Sequence, residues 1–186
     1  MNLPNRLSIL RIVLVPLMVV LFVLPIPYGK LWATAVFCIA AFTDFLDGYL
    51  ARKYHLVTDL GKLLDPIADK LLNAAALILV AEAQILPVGI GAAVAIVIIG
   101  REFLISALRQ VAASKNKIIQ ANVYGKIKTI TQDIALPLLM IQSVFDGIVY
   151  DVLRYASYVM LGIAIVMTIV SCVIYLVQNK SVFQQE

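Results

Sequence analysis

One histidine, two cysteines and one tryptophan are all that this chain of 186 residues holds of those types, and only 14% of it is charged. With His55 alone, no cluster of imidazole ligands can form, and phosphodiester chemistry built on a pair of H-x-K motifs is excluded. Cys38 and Cys172 stand far apart inside apolar stretches, which gives neither a C-x-x-C pair nor a disulfide framework; both read as packing or lipid-facing residues. A net charge of +4 is too small to imply a nucleic-acid partner. Linkers rich in Ser or Gly, low-complexity tracts and internal repeats are also missing, so residues 1–186 are expected to form a single membrane domain. No charged, apolar and small-residue regions follow one another at the start in the order of a cleavable leader, and the N-terminus is expected to be retained.

What the chain has in excess is apolar length. Its hydrophobic share is 62% and its mean hydropathy +0.98, against an apolar share of about half in soluble domains. Apolar segments near 7–24, 31–52, 61–81, 86–109, 125–145 and 152–178 each approach the roughly 17–25 residues that a spanning helix needs. The expected fold is therefore all-α, a polytopic membrane protein of six transmembrane helices. Only 155–178 is a long charge-free run without proline, so the other spans must be polar at one end. Pro25 and Pro27, the stretch 82–87 and the stretch 146–151 mark the turns on the opposite side. Threaded this way, thirteen of the fifteen Lys and Arg fall on one side, leaving only Lys30 and Arg154 on the other. The excess of positive charge on cytoplasmic loops then gives an N-in, C-in protein of the cell membrane with its polar site open to the cytoplasm.

That site is announced by four aspartates. Asp44 and Asp47 lie about 60° apart on the second helix, while Gly61, Asp65 and Asp69 drift only about 40° per step on the third. Left unneutralised near a bilayer centre, four carboxylates would cost on the order of 10 kcal/mol. A short turn between the two helices implies antiparallel neighbours whose acidic stripes meet. Oxygen-only ligands select hard cations, and two divalent ions, Mg2+ or Mn2+, match four negative charges. Gly48 and Gly61, each one turn from an aspartate, let a bulky ligand approach the backbone, and Arg52 can fork onto a diphosphate. Pro66 is expected to delay or kink the third helix. Two other readings account for buried acids: ion pairs with Arg52, Lys53, Lys62 and Lys70, or an ion pathway such as a divalent-cation transporter. Neither uses the two glycines or confines the acids to one leaflet.

The pattern D-x-x-D-G-x-x-A-R, eight residues, G-x-x-x-D-x-x-x-D resembles the signature of the CDP-alcohol phosphotransferases, with all eight defining positions present. The resemblance implies a six-helix enzyme that transfers a phosphatidyl or similar group from a CDP-linked donor to an alcohol and releases CMP. It implies that Asp44, Asp47, Asp65 and Asp69 hold two divalent metals, that Gly48, Ala51, Arg52 and Gly61 line the CDP pocket, and that Asp69 is the general base. Members of the family are commonly homodimers.

The stretches 2–11, 101–104 and 125–129 resemble one branch of the family, in which CDP-diacylglycerol is the donor and glycerol 3-phosphate the acceptor. Serine, inositol phosphate or phosphatidylglycerol would be the acceptor in sister branches. A glycerol phosphate needs cationic partners, and Arg101, Lys126 and Lys128 stand at the cytoplasmic ends of helices four and five; setting topology would also explain them. Lys126 and Lys128 are about 200° apart on a regular helix, so only one faces a pocket unless the helix starts there. Asn5 and Ser8 either contact nucleotide or cap the first helix. Arg109, Lys115 and Lys117 read as a solvated basic rim that attracts anionic lipid.

Overall fold

The computed structural model describes residues 3–54, 59–114 and 122–178. Among them, the side chains of 3–4, 45–54, 59–60, 62–63 and 114 fall outside the description. Six α-helices follow in chain order: α1 (Leu3–Val23), α2 (Gly29–Tyr54), α3 (Asp59–Glu82), α4 (Ile90–Ser114), α5 (Val123–Ile141) and α6 (Gly147–Gln178), with one 3-10 turn over Gln142–Val144. No strand occurs among the described residues. Three of the helices, α1, α4 and α6, are long and apolar enough to cross a membrane, which makes this an integral membrane protein. At 32 residues α6 is about 48 Å long, well beyond a hydrocarbon core of about 30 Å.

Each helix ends close to where the apolar pattern stops. Pro25 and Pro27 separate α1 from α2, and Pro87 separates α3 from α4. Gly147 takes φ +62° at the entry to α6, a left-handed conformation that costs glycine little. Helix α6 therefore starts at Gly147, so the turn expected over 146–151 closes early and Asp151 lies within the helix.

Helix α1 packs extensively against both α2 and α3, whereas α2 and α3 touch each other only sparsely. The α2–α3 contact agrees with their expected adjacency, but each packs more extensively against α1. A short link fixes only how far apart two helix ends lie, and α1 has a polar face to bury: Asn5, Ser8 and Arg11 are all buried, at a spacing of three that keeps them on one side of α1. Helix α3 also runs from Asp59 straight through Pro66, so the late start expected there does not occur.

The longest interface joins α5 to α6. Lys128, Gln132, Ala135, Leu139 and Gln142 are buried along α5, and Ser157, Leu161, Ala164, Thr168, Ser171 and Tyr175 along α6. Both rows alternate steps of three and four, the spacing of a coiled-coil seam. Thr168 and Ser171 return their hydroxyls to the α6 backbone, donating to the carbonyls of Ala164 and Thr168 at 2.6 and 3.1 Å, so they pack tightly without orphaned donors. Apolar residues fill the rest of the core, with Met18, Phe37, Ile98, Leu136, Leu139 and Met140 all at 1% exposure or less.

The two ends of the bundle differ in what they bury. What distinguishes one end is charge: Arg11 and Lys128 are buried where α1, α3 and α5 begin and α2, α4 and α6 finish, beside Asn5 and Ser8, whereas the opposite end buries only neutral polar side chains such as Thr34, Gln142 and Ser157. At that opposite end Tyr28, Trp32 and Tyr155 are exposed, an aromatic girdle of the kind that settles at a membrane surface. Because Ala164 is fully buried on the α5–α6 seam, Ala164→Leu should cost about 1–3 kcal/mol through overpacking and lower the thermal unfolding midpoint in detergent. Val166→Leu, at a position 54% exposed, should leave the midpoint unmoved; equal midpoints for the two variants would contradict the seam.

Candidate active site

The acidic residues are held by α1. The Arg11 guanidinium, fully buried, donates through Nη1 to Oδ1 of Asp44 on α2 at 2.6 Å, while the Asp44 side chain stays 44% exposed. Three residues earlier, Ser8 donates its hydroxyl to Oδ1 of Asp65 on α3 at 2.5 Å. One polar face of α1 thus grips an aspartate on each neighbouring helix, and each carboxylate keeps a second oxygen. Asn5 and Ser8, both expected near a nucleotide or at a helix cap, are buried on this face, with Ser8 committed to Asp65. Gly61 is buried on α3. Asp47, Gly48, Ala51 and Arg52 continue α2, but their side chains lie outside the described residues.

Asp69, one turn beyond Asp65, sits within electrostatic range of Asp44, Arg11, Glu102 and Lys128. It lies in the wall of a cavity of about 650 Å³ that α3, α4, α5 and α6 enclose. Arg101, Lys126 and Lys128 line the same cavity, so the three cations expected to hold an acceptor phosphate share one space with the expected base. Both lysines fit because α5 begins at Val123, which places them in its first turns.

Helix α5 starts there because Asn122 caps it. Its Oδ1 accepts from the backbone N–H of Tyr124 at 2.6 Å and of Gly125 at 3.4 Å. Gly125 gives Arg101 room, since a Cβ at that position would come within 3.3 Å of the guanidinium Nη2. That nitrogen donates to Ser171 on α6 at 2.7 Å. Two donors in the cavity wall, Nε of Arg101 and Nδ2 of Asn122, are buried and lack a hydrogen-bond partner among the described residues. Buried donors left unpaired cost about 1–3 kcal/mol each, which an anion placed there would recover. The positive end of the α5 dipole favours the same occupant.

Several residues of this cavity escaped the sequence reading. Arg109 is exposed, as a rim residue should be, but it also belongs to the site: its Nε donates to Oη of Tyr175 at 2.8 Å, its guanidinium carbon lies 5.6 Å from the ring centre, and both residues line the cavity. Lys115 and Lys117 lie outside the described residues. Glu102 forms an ion pair with the buried Lys128. Asn73, a further turn along α3, engages Asp133 of α5 beneath Asp69. The signal available for Glu102 was its place beside Arg101, and for Asn73 its step of four from Asp69; Arg109 and Tyr175 carried none.

No group of three or more His, Cys, Asp or Glu side chains is gathered at metal-binding distance among the described residues, which exclude Asp47. The donor set still suits a hard divalent cation, since Asp44, Asp65 and Asp69 offer carboxylate oxygens with no nitrogen or sulfur ligand beside them.

Comparison with known proteins bears on these features directly. The chain is 41% identical over 154 residues to the CDP-diacylglycerol–glycerol-3-phosphate 3-phosphatidyltransferase of Bacillus subtilis (strain 168), covering 76% of this chain and 78% of that protein. It is 36% identical over 182 residues to a protein of the same name from Rickettsia bellii, covering 98% and 97%, and 38% identical over 182 residues to one from Haemophilus influenzae, covering 94% and 91%. The profile of the CDP-alcohol phosphatidyltransferases matches residues 1–175, a span that takes in the α1 clamp, both acidic stripes and the whole basic cavity. By its sequence over nearly its full length, the chain belongs to the CDP-alcohol phosphatidyltransferase family.

Proposed function

We propose that this protein transfers the phosphatidyl group of CDP-diacylglycerol to glycerol 3-phosphate, giving phosphatidylglycerophosphate and CMP. The names of its relatives support both substrates. The observation that carries the reading is the cavity that Asp69 lines together with Arg101, Lys126 and Lys128, because it joins a carboxylate fit to act as base to a cluster of cations fit to hold a phosphate.

In this reading the acceptor's phosphate takes up the unpaired donors of Arg101 and Asn122 together with Lys126 and Lys128, and its free hydroxyl lies at Asp69. Asp69 accepts the hydroxyl proton as that oxygen bonds to the β-phosphorus of the donor. The bond from this phosphorus to the bridging oxygen breaks, and CMP departs with the electron pair. Arg52 and the backbone at Gly48, Ala51 and Gly61 receive the CDP moiety, with Asn5 and Ser8 at its edge. Asp44, Asp47, Asp65 and Asp69 would hold two divalent cations, Mg2+ or Mn2+, which when bound neutralise the diphosphate and stabilise the leaving oxygen.

The chain forms one domain of six spans, N-in and C-in, in the cell membrane. The site opens to the cytoplasm, the acyl chains stay in lipid, and the working unit is a homodimer. The gathering of the buried charged groups Arg11 and Lys128 at one end, with Tyr28, Trp32 and Tyr155 exposed at the other, supports this orientation.

CMP release from CDP-diacylglycerol should require glycerol 3-phosphate and disappear on chelation with EDTA; serine as the effective acceptor would overturn the assignment. Asp69→Asn keeps the shape of the side chain but removes the base, so kcat should fall by about 10²–10⁴ while donor affinity is largely kept. Normal kcat with collapsed metal affinity would reduce Asp69 to a ligand. Arg101→Ala should raise KM for glycerol 3-phosphate by about 10-fold or more, with little change for CDP-diacylglycerol, and equal effects on both would count against an acceptor-phosphate role. In a chain freed of its own cysteines, Cys placed at Gln110 and at Ile148 should label from opposite membrane faces, Gln110 from the cytoplasm; labelling from one face would undo the six-span thread.

A further inference from the structure

A cavity that holds a phosphate dianion gains nothing from a carboxylate in its wall, yet Glu102 is there beside Arg101. Its Oε1 accepts from Nζ of Lys128, and the two side chains are only 12% and 2% exposed. Its other oxygen has no hydrogen-bond partner among the described residues. Balancing Lys128 does not by itself account for the pair, because a buried ion pair can be replaced by apolar residues of similar volume at no loss of stability. Glu102 also interacts electrostatically with Asp69 and with Arg101, so it stands within range of both ends of the site. Asp69, Glu102, Arg101 and Lys126 line one cavity, so an acceptor held in it shares that space with the Glu102 carboxylate.

We propose that Glu102 selects the acceptor, accepting a hydrogen bond from its second, non-reacting hydroxyl while the ion pair with Lys128 fixes the carboxylate in place. The substrates favoured are phosphorylated alcohols with a free hydroxyl next to the reacting carbon. A carboxylate suits this task because its oxygens together offer about four acceptor positions, of which Lys128 occupies one. The inference rests on the function proposed above and concerns the choice among acceptors rather than the transfer itself.

The test compares glycerol 3-phosphate with 3-hydroxypropyl phosphate, the same acceptor without its middle hydroxyl, by CMP release from the full-length protein. A charged hydrogen bond left unmade should give the wild-type protein a preference in kcat/KM of about 10–100-fold for glycerol 3-phosphate. Glu102→Gln leaves a carbonyl for Lys128 and turns an amide toward the cavity, and the preference should fall several-fold. The double variant Glu102→Leu with Lys128→Met strands no buried charge, keeps the test readable if Glu102→Gln misfolds, and should bring the ratio to about one. An unchanged ratio in the double variant, or equal losses on both acceptors, would make Glu102 a structural partner only and overturn the proposal. A wild-type ratio near one alongside brisk turnover of glycerol 3-phosphate would also overturn it and leave the proposed function standing. No CMP release with either acceptor would remove the function itself.

Discussion

The bundle is organised by a guanidinium that has no access to solvent. Arg11 is fully buried, where an ion without a partner would cost several kcal/mol, and Asp44 meets it at 2.6 Å. Satisfying that charge forces the polar half of α1 against α2. Ser8, three residues back on the same face, then ties α1 to α3 through Asp65. The two acidic stripes are positioned by a third helix rather than by each other. The sparse contact between α2 and α3 follows, and so does the place of Asp69 in a cavity shared with α4, α5 and α6.

The same economy of charge shapes the basic side. Lys128 is answered by Glu102, Arg101 by Ser171 and Arg109 by Tyr175, each across a helix boundary, so these three cations also work as cross-links. What these contacts leave over, Nε of Arg101 and Nδ2 of Asn122, is the capacity for an anion. The far end of the molecule has no comparable demand and is filled by Met18, Phe37, Leu139 and Met140.

Much of this was legible in the chain. The helix limits follow from prolines, glycines and apolar run lengths, because in an apolar environment the backbone has no alternative to a helix between such breaks. The four aspartates, Arg101, Lys126 and Lys128 declared themselves because a charge inside an apolar run demands a reason. Helix neighbours were harder. A short α2–α3 link pointed to their contact, but only the buried face of Asn5, Ser8 and Arg11 explains why α1 packs more extensively against each. The continuity of α3 through Pro66 was equally hidden, since one missing N–H weighs little against packing along a 24-residue helix. Glu102, Arg109 and Tyr175 depend on contacts between residues 26 to 66 positions apart, which no local pattern encodes.

Helix α3 carries Asp65 on the side of α1 and Asp69 in the wall of the basic cavity, so it is the one helix that belongs to both halves of the site. Under the proposed function, the residues assigned to the CDP-linked donor all stay on α1 to α3, while α4 to α6 can be rebuilt around a different alcohol. A scaffold divided in this way separates the reaction from the choice of its product, and new headgroup chemistries can arise on it without retuning the step that breaks the diphosphate.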